Sequence, residues 1–140
     1  MLDFTPTDEQ RLLERSIREW GAREIAPHIR DADRNHRFDR ERVLGGMASL
    51  GLLGISVPQE YGGARMDYVC LGMASEELEY VDTSLRVILS VHAGLNCLTL
   101  LAWGTDDQKR RYLVPQAQGK KIAGYGLTEP SAGRDRKSVV

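Results

Sequence analysis

Residues 83–103 read TSLRVILSVHAGLNCLTLLAW. No formal charge lies between Val87 and Trp103. Val87, Val91, Leu95, Leu98 and Ala102 recur at helical spacing, and Ile88 and Leu101 widen the stripe. The pattern predicts one long helix from Thr83 to Trp103, largely surrounded by protein. Ser90, His92, Asn96 and Thr99 interrupt the uncharged run, which falls short of the roughly 20 residues of a membrane span. A central helix of a helical domain is the better reading, and Gly104 ends it.

Three helices are predicted before it. Thr5-Pro6-Thr7-Asp8-Glu9-Gln10 is a helix start, with Thr7 and Gln10 at capping-box spacing. Leu13, Ile17, Trp20, Ile25 and Ile29 then form an apolar face opposite Arg11, Arg15, Arg18 and Glu19. Pro27 should bend that helix, because it cannot donate to the Arg23 carbonyl. A second helix fits Asp39 to Leu50, stopped by Gly51, with Val43, Met47 and Leu50 on one side. Ile55 to Gly63 reads as an ordered loop, and Asp67 to Tyr80 as a third helix. After the long helix, Thr105-Asp106-Asp107-Gln108 caps a fifth that runs to about Gln118 despite Pro115. Lys120 to Leu127 then reads as a strand, and Thr128 to Gly133 as a turn.

Nineteen basic and twenty acidic side chains nearly cancel, which argues against a nucleic-acid surface. Cys70 and Cys97 lie in apolar stretches without a CxxC pattern and read as small buried hydrophobes. His92 has no ligand partner one turn on, so no metal site is expected. The N-terminus lacks the basic and apolar regions of a signal peptide, and a cytoplasmic location is expected. A lone strand has no partner for its backbone groups, so five helices and one strand point to a sheet domain beyond them.

Gly124-Tyr125-Gly126-Leu127-Thr128-Glu129-Pro130-Ser131-Ala132-Gly133 resembles the first signature of the acyl-CoA dehydrogenase family. Val57-Pro58-Gln59-Glu60-Tyr61-Gly62-Gly63 resembles the family's loop between its second and third helices. Trp103-Gly104-Thr105-Asp106-Asp107-Gln108-Lys109, with Tyr112-Leu113, resembles its helix cap before the sheet domain, and Phe4-Thr5 to Gln10 a typical opening. The likeness covers nearly the whole chain, in order.

The resemblance implies an all-α fold: the family's N-terminal helical bundle over 1–118, then the first strand and turn of a truncated, β-barrel-like middle domain over 119–133. It implies FAD as cofactor, an acyl-CoA thioester as substrate, an electron-transferring flavoprotein as electron acceptor and a homotetramer. In the family a carboxylate removes the alpha proton and the beta hydride passes to the flavin. That carboxylate belongs to a later region, so no catalytic residue is expected here and the chain alone should be inactive. Carried over by position, Tyr125, Leu127, Thr128 and Gly133 should meet the flavin. Arg86, Val87, Ser90, Val91 and Arg134 fall at substrate-binding positions. Arg86 resembles the distal-carboxylate grip of the glutaryl-CoA branch, but Val87 follows it where that branch tends to carry a hydroxyl; an exposed helix-start Arg is the plainer reading.

Arg134 departs from the family's Ser. Asp135 to Val140 is also what a common sequencing adapter encodes in one frame, and the adapter's first base would turn a Ser codon beginning AG into Arg. Residues 134–140 are therefore expected to be a non-native tail. Two further readings stay open: a related acyl-CoA oxidase or flavin monooxygenase, and a helical interaction module without enzymatic function.

Overall fold

Helix α1 (Asp8–Trp20) opens as its first residues dictate. The Thr7 hydroxyl accepts from the Gln10 N–H at 3.2 Å, and the Gln10 side chain accepts from the Thr7 N–H at 3.0 Å. The computed structural model describes residues 5–126 and 128. Past α1 the helix continues through a π turn (Gly21–Ile25) and a 3₁₀ turn (Ala26–His28) into α2 (Ile29–Arg34). Pro27 is the cause. Its ring would strike the Arg23 carbonyl of a regular helix, and the wider turn, closed by Ala26 N–H to Gly21 O, removes that clash. The same device recurs where Lys109–Leu113 is π-helical ahead of Pro115.

The remaining helices are α3 (Arg40–Ser49), α4 (Tyr68–Val81), α5 (Thr83–Leu89), α6 (Leu98–Trp103), α7 (Asp106–Gln108) and α8 (Val114–Ala117). Asp39 caps α3 and Asp67 caps α4, as their acidic side chains suit. Gly51 takes φ +71° and ends α3 in the left-handed region, and Gly62 (φ +81°) turns the loop before α4. A π segment (Ser90–Cys97) joins α5 to α6, so Thr83–Trp103 is one continuous rod of 21 residues. Ser90, Asn96 and Thr99 return their polar groups to carbonyls of the same rod, at Arg86, Val91 and Leu95.

α1 lies along α4, and α4 along α5. Their shared core includes Leu13, Ile17, Trp20, Met47, Leu52, Leu53, Leu78, Leu85 and Leu89. A smaller cluster of Val57, Cys97, Leu113 and Ala117 joins the loop, the rod and α8. Glu77 of α4 is buried, and Arg18 of α1 answers it through two nitrogens, Nε at 2.9 Å from Oε2. A two-pronged guanidinium satisfies a carboxylate that would otherwise be costly to bury.

Two sequence expectations change. The predicted core stripe of the long helix is its outer face: Val87 and Leu95 are 42% and 41% exposed, and Ala102 is exposed too. Leu85, Leu89, His92, Ala93 and Cys97 are buried instead, so the rod is not largely surrounded. By length and composition it could also cross a membrane, which the uncharged run had understated. Second, residues 122–126 form no strand. No second strand among the described residues offers a ladder, and Leu127 lies outside them.

The buried Trp20 indole lies where a Cβ on Gly46 would sit, 2.3 Å from its Nε1, whereas nothing stands within 4 Å of a Cβ on Gly45. Gly46→Ala should therefore lower unfolding free energy by about 1–3 kcal/mol through overpacking. Gly45→Ala, in the same helix, should raise it by up to about 1 kcal/mol. Urea unfolding of both variants checks the pair, and equal effects would contradict the packing described.

Candidate functional site

Four of the five sequence-predicted substrate residues lie in the described part and share one face. Arg86, Val87, Ser90 and Val91 are neighbours on the outer side of the rod, one turn apart, with Leu95 a turn beyond. Val87 is exposed, and Arg86, Ser90 and Val91 are half-buried. Ser90 spends its hydroxyl on the Arg86 carbonyl at 2.9 Å, which presents the local surface as mostly apolar. Arg86 Nε donates to Glu79 Oε2 of α4 at 2.8 Å. That guanidinium holds the Glu79 carboxyl below the usual carboxylate range, with help from the Thr83 hydroxyl.

The predicted cofactor residues lie on the segment that leaves the last helix. Gly119 (φ +71°) closes α8, and the Lys120 N–H returns to the Pro115 carbonyl at 2.9 Å. Ile122 then packs on the main core. Ala123 N–H donates to His92 Nδ1 at 3.1 Å. Tyr125, 49% exposed, and the exposed Thr128 follow. Nothing stands within 4 Å of a Cβ at Gly124 or Gly126, so the backbone on either side of Tyr125 is open to approach. Leu127, Gly133 and Arg134 lie outside the described residues.

Sequence reading weighed His92 only as a metal ligand and assigned it no other role, whereas the structure buries it fully. A backbone N–H can only donate, so Nδ1 accepts from Ala123 and Nε2 carries the proton, which it gives to the Gln116 carbonyl at 3.1 Å. Its lone position inside an apolar stretch was the available signal. Burial lowers the pKa of His92, and the Gln116 carbonyl opposes that in part. Cys97 Sγ is 3.9 Å from Nε2, but burial pushes this thiol up to about 12. It is a packed hydrophobe and no nucleophile, as the sequence suggested for both cysteines, which are buried and free.

Two grooves lie around His28 to Glu41, at the end of the molecule formed by α2 and α3, the first about 370 Å³. None of the predicted site residues lines either groove. Among the described residues no cluster of His, Cys, Asp or Glu could hold a metal.

The family profile described as "Acyl-CoA dehydrogenase, N-terminal domain" matches residues 7–120. The chain belongs to the acyl-CoA dehydrogenase family. It is 42% identical over 134 residues to a short-chain specific acyl-CoA dehydrogenase of Clostridium acetobutylicum, covering 96% of this chain and 35% of that protein. The fold superposes on butyryl-CoA dehydrogenase from Megasphaera elsdenii with a TM-score of 0.87 at 32% identity, over 94% of this chain and 35% of that one. An acyl-CoA dehydrogenase from Bacillus anthracis, complexed with FAD, matches with a TM-score of 0.79 at 29% identity, over 93% and 23% of the two chains. The chain thus spans about a third of the length of the short-chain relative.

The His92 shift fixes a pH dependence. Its folded pKa lies below the ordinary value of about 6.5. The neutral histidine's contribution to stability is therefore complete above that value and is lost as pH falls through the lower, folded one. Glu24, Asp39, Asp67 and Glu79 are all lowered, and their contribution is lost only below about 4. Unfolding free energy should begin to decline as pH falls below roughly 6.5, before the carboxylates titrate, and His92→Asn should flatten that limb. An unchanged slope in the variant would contradict the buried neutral ring.

Proposed function

We propose that this chain supplies the N-terminal helical part of a flavin-dependent acyl-CoA dehydrogenase, with 1–118 as the helical domain and 119–133 as the start of the middle domain. The observation that carries the reading is the outer face of the rod. Val87, Val91 and Leu95 form an apolar, open wall in a chain otherwise folded around the opposite face. Exposed apolar surface on a helix asks for a partner, and the family match makes an acyl chain and the remainder of the enzyme suitable ones. The same match accounts for the rod's apolar composition without a membrane.

The segment from Gly124 to Thr128 fits a flavin. It combines open backbone at two glycines, an aromatic side chain and a hydroxyl, which suit a flat ring bearing polar edges. Tyr125, Thr128 and, beyond the described residues, Leu127 and Gly133 would hold FAD. When bound, FAD supplies the acceptor for a hydride. The residues of this chain contribute binding and orientation: Val87, Ser90 and Val91 pack the acyl chain, and backbone amides near Tyr125 hold the cofactor. Arg134 would stand near the thioester tail if it is native. No residue here is assigned the proton-abstracting carboxylate, so catalysis needs residues outside this chain. A homotetramer passing electrons to an electron-transferring flavoprotein completes the reading.

Arg86 lies on the same wall, but its guanidinium is already paired with Glu79. An acyl chain without a distal carboxylate is the substrate this charge pattern favours, and the likeness to the Megasphaera butyryl-CoA dehydrogenase makes butyryl-CoA the first to try. In the full-length protein, anaerobic butyryl-CoA should bleach the oxidised flavin. No bleaching with acyl-CoA of any length would overturn the reading. Val91→Phe should cut kcat/KM by roughly tenfold or more while flavin content stays constant, since overpacking the site once an acyl chain fills it costs on the order of 1–3 kcal/mol. Arg86→Met should change kcat/KM by less than about threefold, as a half-exposed ion pair contributes little; a larger loss would restore the guanidinium as a substrate contact.

A further inference from the structure

Two polar side chains are buried among the described residues, Glu77 and His92. Glu77 is answered by another side chain, Arg18. His92 differs, because both of its ring nitrogens are spent on backbone groups, 24 and 31 residues away in sequence. One partner, the Gln116 carbonyl, lies in the last turn of α8 and already accepts from Gly119 N–H at 2.9 Å. The other, Ala123 N–H, belongs to no helix or strand. No strand among the described residues pairs with 122–126. Contacts that hold this stretch include Ile122 against the core and Ala123 on His92. The second stands two residues before Tyr125.

A histidine that merely filled space could be replaced by an apolar residue of similar size. Here that would strip the half-buried Ala123 N–H of its acceptor. The helix-forming neighbours do not need His92, since the rod's own backbone bonds run past it. Its polar work is directed outward, to the two segments that follow the rod in sequence.

We propose that His92 is a positioning residue for the cofactor segment: its ring straps the chain at Ala123 to the buried face of the rod and so fixes where Tyr125 to Thr128 begin. The role toward a cofactor rests on the flavin reading above; the strap itself does not. The ring sits on the rod's inner face, and the acyl wall is the same rod's outer face. One helix therefore sets both the substrate wall and the starting point of the cofactor segment. A shift of the rod moves the two together.

The strap is tested in the 140-residue chain with ¹⁵N-histidine spectra and amide exchange. His92 should be neutral with its proton on Nε2, and Ala123 should be protected. His92→Leu should speed Ala123 exchange by roughly tenfold or more, the loss of one buried hydrogen bond, while α1 and α4 amides keep their protection. His92→Asn, whose carboxamide oxygen can occupy the Nδ1 place, should restore it. A proton on Nδ1, an unprotected Ala123, or Ala123 protection unchanged in His92→Leu would overturn the strap. Should His92→Leu fail to fold, the tautomer and the Asn variant decide. In the full-length protein, FAD binding should weaken by about tenfold in His92→Leu and recover in His92→Asn. Full FAD affinity in a folded His92→Leu that has lost Ala123 protection overturns the positioning role. If the unsubstituted protein holds no FAD, the flavin reading falls while Ala123 protection still judges the strap.

Discussion

A helix with apolar residues all round can give only part of its circumference to its own domain, and the Thr83–Trp103 rod is such a helix. It gives Leu85, Leu89, His92, Ala93 and Cys97 to the core. Burying a leucine fully is favourable by about 1.5–3 kcal/mol, so this face fixes how α1, α4 and α8 sit around it. The price is an opposite face on which Val87 and Leu95 stay wet. That face is unfavourable for a domain in isolation and useful for one that must wall a binding site. The other structural choices follow: the π segment that carries the rod's phase from Leu89 to Cys97, the Arg18–Glu77 pair that lets α1 close over α4, and the loop cluster beneath Val57.

Local features were legible in the sequence because their causes are local. Both capping boxes, the helix starts at Asp39 and Asp67, and the turn at Gly51 depend on residues within a few positions. The apolar face of α1 was legible too, since its opposite side is charged. The rod was not, because hydrophobicity reports burial somewhere and does not say against what. Val87, Val91 and Leu95 carry as strong an apolar signal as Leu85 and Leu89. Pro27 and Pro115 announced disturbed helices, but a widened π turn needs coordinates to be seen. His92 looked like a lone histidine because its partners are backbone atoms, which leave no trace in residue identity.

The functional reading has the same division. Motif likeness put the candidate substrate residues on the rod, and the structure brings Arg86, Val87, Ser90 and Val91 onto one face of it. It adds that Arg86 is paired with Glu79, which composition could not tell. The segment proposed to meet the cofactor leaves the core where His92 holds Ala123, on the far side of the same rod. The site is built outward from one helix with two faces, one packed and one offered.

That division of faces can be measured directly by thiol labelling of the folded chain. Cys70 and Cys97 are buried, so the native chain should resist a small alkylating reagent until it is unfolded. Val87→Cys or Leu95→Cys should add one thiol that reacts in the folded state at nearly the rate of an unfolded peptide. Protection at both introduced positions, or rapid labelling of Cys97 in the native fold, would mean that the rod is turned the other way and would contradict the account.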